Sequence, residues 1–199
     1  MPPKTAVLAI DTSAAHCAAA LLLGDGSVAT RVVEMTKGQA EQLIPIIQSL
    51  LSDNDLTFDD LSAVGVGTGP GNFTGIRIAV SAARGIALGR SIPAIGVNGF
   101  EVLSYQQPRP ITALISAPRN QAYMQHFTET GEDAATMIDT STVVIDGPVT
   151  PEQTVDEKVT IIARIAKAKI GTDHGRPVPL YVRAADAAPP RDPAPKILS

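Results

Sequence analysis

The stretch Gly65-Val66-Gly67-Thr68-Gly69-Pro70-Gly71-Asn72-Phe73-Thr74-Gly75-Ile76-Arg77 decides how this chain is read. Five glycines and one proline fall within the eleven residues 65–75. Ordering them is costly, because glycine gives up the most backbone freedom on folding. The stretch joins an apolar, strand-like run (61–66) to a helix-like run (74–88), a poor place for a disordered linker. It therefore predicts a tight junction lined by backbone. Gly69-Pro70-Gly71 fixes one φ angle and leaves its neighbours free. The helix that follows begins with unpaired amide hydrogens that favour phosphate or carboxylate, and Arg77 on its first turn adds positive charge. The pattern is neither the dinucleotide fingerprint nor the phosphate loop ending in lysine and serine or threonine. Three uses stay open: a structural turn, contact with an anion or nucleotide, or a surface for a partner.

Upstream, an apolar run over 5–10 ends at Asp11-Thr12-Ser13. An aspartate leaving a first strand, with hydroxyls beside it, could orient magnesium and phosphate oxygens. It could equally accept backbone hydrogen bonds in an Asx turn. Asp11, Thr12, Ser13, Gly69, Gly71 and Arg77 are the candidate nucleotide or anion contacts. Runs 17–23 and 27–34 flank Gly24-Asp25-Gly26, a strong hairpin signal. Leu43, Ile46, Ile47, Leu50 and Leu51 give residues 39–51 helical spacing, with Pro45 in the first two turns.

Downstream, 74–88 reads as a second helix and 92–97 as a short strand. Asn98 with Glu101 forms a capping box for a short helix through residue 103. The run Gln106-Gln107-Pro108-Arg109-Pro110 breaks the pattern and sets a lobe boundary: 1–105, then a smaller lobe over 106–199. There, strands are predicted over 111–116, 122–127 and 142–145, irregular chain over 128–140, and a helix over 154–170. Four prolines in the last sixteen residues predict a loose end.

The second helix interleaves small residues with branched ones. A glycine inside a helix costs about 1 kcal/mol against alanine, so close packing against another helix should offset the loss. Ile78, Ala82, Gly85 and Gly89 form a smooth face for that contact. Whether the neighbour lies in this chain or in another is not decided by spacing.

Composition narrows the functional classes. A formal charge of −4 gives no general drive toward nucleic acid or acidic membrane. One cysteine excludes an internal disulfide framework and fits a reducing compartment. The apolar run at the start is too short for a signal or membrane segment. His16, His126 and His174 are scattered, so neither a metal site nor a catalytic residue is assigned. Lys158, Arg164, Lys167 and Lys169 read as a solvated helix face.

These residues resemble the TsaB family, also called YeaZ. The likeness rests on Leu8-Ala9-Ile10-Asp11-Thr12-Ser13, Gln42-Leu43-Ile44-Pro45-Ile46-Ile47, and Gly67 to Arg77. It continues in Gly85-Ile86-Ala87, Pro93-Ala94-Ile95-Gly96-Val97 and Pro179-Leu180-Tyr181-Val182-Arg183. It is strong over 4–105, weaker over 111–127 and faint over 128–175. The resemblance implies an α/β fold of the actin-like ATPase (ASKHA, RNase H-like) type, with two lobes on mixed sheets and the second reduced. It implies a non-catalytic cytoplasmic subunit supporting threonylcarbamoyl transfer to N6 of adenosine 37 in tRNAs reading ANN codons.

The partners so implied are a TsaD-like catalytic subunit, a TsaE-like ATPase and tRNA through the complex, with a homodimer when alone. No cofactor is tightly bound on this reading; ATP or ADP and magnesium belong at the complex interface. Leu43, Ile47, Leu50, Ile78, Ala82, Gly85 and Gly89, on the first two helices, would form the partner interface. Gly38-Gln39-Ala40, Thr68, Asn72 and Ser116-Ala117-Pro118-Arg119 depart from the family's usual residues. The competing reading is an actin-fold ATPase or small-molecule kinase using Asp11 and the turn from Gly67 to Gly75. A stand-alone RNA-binding module is disfavoured by the acidic balance and the shortage of stacking aromatics.

Overall fold

A computed structural model describes residues 5–182. The chain opens with three consecutive strands, β1 (Ala6–Asp11), β2 (His16–Leu22) and β3 (Val28–Glu34), each antiparallel to the one before. Helix α1 (Gln39–Ser52) leads through a short 3-10 turn to β4 (Leu61–Gly67). Helix α2 (Phe73–Arg90) then leads to β5 (Ala94–Val97). Strands β4 and β5 are parallel to β1, and the sheet runs β3-β2-β1-β4-β5. Helix α3 (Gly99–Ser104) starts on the expected box: Asn98 Oδ1 accepts from the Phe100 and Glu101 amides, and Glu101 Oε2 accepts from the Asn98 amide.

Strands β1 and β2 are continuous apolar runs because both faces of the sheet are covered. Leu8, Ile10, Cys17 and Leu21 point toward α1 and α2, meeting Leu43, Ile47, Ile76 and Val80. Val7, Ala9, Ala18 and Ala20 point to the other side, onto Val159, Ile162, Ala163 and Ala166 of helix α4 (Val155–Lys169). The alternation along each strand thus sorts two cores, one on each face.

A second, three-stranded antiparallel sheet, β6 (Ile111–Ala117), β7 (Gln121–Phe127) and β8 (Thr136–Asp139), closes over a small core of Phe100, Leu103, Ile111, Ala113 and Phe127. Its ends are tied together. The Thr112 amide donates to the Pro148 carbonyl at 2.9 Å, and the Thr150 amide donates back to Thr112 at 2.9 Å.

Three sequence expectations change. Helix α4 covers the five-stranded sheet, not the small one, and Lys169 Nζ lies 2.6 Å from Glu101 Oε1 on α3. A boundary at 105/106 therefore assigns α4 to the wrong sheet; only the small sheet is set apart. The third strand of that sheet is β8, inside the stretch read as irregular, while 142–145 forms no strand. Asp139 accepts from the Ser141 amide and hydroxyl, and the Thr142 and Val143 amides fold back on its carbonyl, so the chain turns there. Val144 is left 92% exposed. The expected loose end, from 184 onward, lies outside the described residues.

Candidate functional site

The glycine-rich junction between β4 and α2 lies against the loop from β1 to β2. Thr12 Oγ1 donates to the Gly75 carbonyl at 2.6 Å, and the Asn72 amide donates to the Ser13 carbonyl at 2.7 Å. Asn72 also caps α2, its Oδ1 accepting from the Gly75 amide at 2.8 Å. A Cβ on Gly75 would run into the Thr12 carbonyl oxygen, and one on Gly71 into that of Ser13. Two backbones approach here more closely than any side chain permits.

Asp11 ends β1 and is 6% exposed. Its Oδ1 accepts from the Ser13 amide at 2.9 Å, and its Oδ2 from the Ser13 hydroxyl at 3.1 Å. His16 Nε2 lies 3.3 Å from the same Oδ2, and this histidine is 7% exposed. The Oδ1 contact closes an Asx turn, and the two contacts on Oδ2 are additional to it. Ser13 and His16 hold the carboxylate in the turn, and its oxygens keep lone-pair capacity toward the cleft that Asp11 lines. Among the described residues, no three His, Cys, Asp or Glu side chains are grouped to hold a metal ion. Nor is any helix among them long and apolar enough to cross a membrane. Next to His16, the Cys17 thiol is pushed up to about 11, chiefly by burial and then by the Asp11 charge.

The candidate contacts separate into two places. Asp11, Ser13 and Gly69 line a cleft of about 510 Å³ between the sheets, with Ser116, Thr150 and Lys158 on other walls. Thr12 is buried beneath the junction, and Gly71 packs on Ser13. Arg77 projects elsewhere, into a groove of about 450 Å³ between α1 and α2 that it lines with Ala40, Ile44, Phe73, Ile78 and Ala82.

Burial divides the expected interface residues. Leu43, Ile47 and Leu50 are almost wholly buried in the subunit's own core, and of these only Leu43 reaches the groove, as its floor. Apolar spacing found the inward face of α1. Its outward face shows Ile44, 37% exposed. On α2, Ile78 and Ala82 sit half-buried in the groove, whereas Gly85 and Gly89 are exposed with nothing within 4 Å of a Cβ.

Three residues of interest carried no role in the sequence reading. His16 reaches Asp11 because β1 and β2 pair antiparallel through Asp11 and Ala18. Arg77 lies over the Phe73 ring, and its Nε donates to the Tyr181 hydroxyl at 2.9 Å. The available signal was that Phe73 and Tyr181 both belong to stretches already singled out.

Comparison with known proteins agrees with this architecture. Residues 34–172, more than half of the chain, match the family described as TsaD: tRNA N6-adenosine threonylcarbamoyltransferase. The tRNA threonylcarbamoyladenosine biosynthesis protein TsaB of Escherichia coli is 37% identical over 61% of this chain and 54% of its own length. That of Bacillus subtilis is 37% identical over 59% and 52%. The chain thus spans about half the length of these curated relatives. An uncharacterized protein of Mycobacterium tuberculosis is 31% identical over 92% of this chain and 94% of its own. Among solved structures, YeaZ from Pseudomonas aeruginosa superposes with a TM-score of 0.69 over 89% of this chain and 100% of that one, at 21% identity, and shares the fold.

Proposed function

Because the chain belongs to the TsaD family of tRNA N6-adenosine threonylcarbamoyltransferases, and resembles its TsaB relatives, we propose that it is a non-catalytic scaffold subunit. On this reading it supports threonylcarbamoyl transfer to N6 of adenosine 37 in tRNAs reading ANN codons, and the chemistry belongs to a TsaD-like partner. The observation that carries the reading is the α1–α2 groove, where Ile44, Ile78 and Ala82 leave apolar surface uncovered. A helix pair of the partner laid into it would be held against the five-stranded sheet, and its distant catalytic groups thereby preorganised. The kinship to actin-like ATPases, the TsaE-like ATPase, tRNA reached through the complex, and a cytoplasmic setting belong to the same proposal. So does a homodimer through this face when the partner is absent. ATP or ADP and magnesium would act in the assembled complex. The kinase alternative would need Asp11 to share a metal with other ligands, and among the described residues no three His, Cys, Asp or Glu side chains group to hold one.

The test is complementation. Deleting the gene should abolish threonylcarbamoyladenosine in tRNA hydrolysates, and the native chain should restore it. Ala82→Leu should restore far less while its purified subunit melts like the native one. Unchanged tRNA modification in the deletion strain would overturn the proposal.

A further inference from the structure

We propose that Arg77, stacked over Phe73 and hydrogen-bonded to Tyr181, is the ionic anchor of the α1–α2 groove and receives a carboxylate carried on an apolar helix of the partner; this rests on the docking role proposed above. The guanidinium carbon lies 3.8 Å from the Phe73 ring centroid and 6.0 Å from that of Tyr181. The two rings stack at 5.3 Å with 28° between their planes. The Nε–H is spent on Tyr181, which leaves the outward edge of the fork for a planar, bidentate acceptor. Among the described residues no carboxylate pairs with Arg77. Phe73 is 52% and Tyr181 44% exposed, an amount of open aromatic surface that docking would bury. Arginine and aromatic residues at the centre of a contact carry much of its energy.

The surroundings select the occupant. Among the described residues Arg77 is the single cation lining the groove, whose other walls are mainly apolar. A nucleic-acid backbone is held by several cations, so one guanidinium on an apolar floor fits a protein helix instead. Among the described residues the groove lining also contains no carboxylate. Two copies meeting groove to groove would therefore leave both guanidinium groups unpaired, and a different subunit is the better fit.

Tyr181 acts through Arg77 and is a positioning residue. It arrives on the segment after α4, which is fastened to the end of β4 where the Leu180 amide donates to the Thr68 carbonyl at 2.8 Å. Leu180 and Val182 pack against the core of the small sheet. The position of Arg77 is thus set by the subunit before any partner arrives.

The experiment titrates the TsaD-type subunit of the same genome against native protein, R77A, R77K, Y181F and A82L at low and high salt, with a thermal melt of each. R77A should weaken binding roughly 30-fold or more and remove most of its salt dependence. R77K should recover only part, because it keeps the charge but loses the stack and the Nε–H bond. Y181F, which keeps the ring and loses the hydroxyl, should cost about threefold. All melts should match the native one. If A82L weakens binding while R77A and R77K bind like native protein, the anchor is overturned and the docking role stands. If native protein does not bind the subunit, both fall. If R77A binds the subunit normally but the assembled complex retains less tRNA, the guanidinium serves RNA and the carboxylate assignment is overturned.

Discussion

At the N-terminal end of α2, a side chain on Gly75 would strike the Thr12 carbonyl and one on Gly71 the Ser13 carbonyl; at the C-terminal end, a side chain on Gly85 or Gly89 would meet nothing within 4 Å. The first pair is explained within the subunit, since two loops carrying the Asp11 turn could not otherwise close on each other. The second pair weakens the helix without any return among the described residues. Under the docking proposal the return comes from outside, as bare backbone on which a partner helix can lie. One residue type thus answers two demands fifteen ångströms of helix apart, at about 1.5 Å per residue between positions 75 and 85.

Substitution should separate the two ends. Gly75→Ala has the largest expected effect, a loss of about 3 kcal/mol in urea unfolding, because the added methyl meets backbone that cannot rotate away. A native-like midpoint for that variant would break the contrast at its stronger end. Asn72→Ala removes the acceptor for the Gly75 amide and should cost about 1 kcal/mol. Asn72→Ser keeps a capping oxygen and should restore most of it. Gly85→Ala should reverse the sign, raising stability by roughly 0.5–1 kcal/mol through helix propensity alone. If Gly85→Ala lowered the melting temperature instead, that end would also be committed within the subunit.

An effect confined to alkaline pH concerns Cys17, in the sheet core facing α1 and α2. Its thiol is held near 11 against an ordinary value of 9.0. Below pH 9 both folded and unfolded chains keep the proton, so stability does not depend on it. Between about pH 9 and 11 the unfolded chain gives up the proton first, and stability should fall as pH rises. Comparing the pH dependence of Cys17→Ala with native protein isolates this contribution. In the native protein at pH 8, alkylation of the thiol should proceed only as fast as the chain opens.

Much of this was legible in the residues themselves, because it is local. The crowding of glycines around Pro70 announced the junction, the spacing in α1 announced its buried face, and Asn98 with Glu101 announced the start of α3. What stayed hidden depends on distant partners. Helix α4 has an apolar face, but periodicity does not say which sheet receives it. The run 142–145 has strand propensity, yet Asp139 turns the chain away first. Apolar spacing also reports the face a helix buries at home, so it selected Leu43, Ile47 and Leu50 and missed Ile44. Arg77 and Tyr181, 104 positions apart, meet only because the fold brings the last described segment back over β4.

The tie between Thr112 and the 148–150 segment gives the small sheet a neck. The chain leaves the five-stranded sheet through that neck and returns through it to build α4, so everything between behaves as a cassette mounted on a closed frame. Lengthening a loop already closed at its base changes its entropy only logarithmically. Material can therefore be exchanged beyond the neck with little effect on how α4 seats on the sheet, provided the residues that receive Leu180 and Val182 are kept.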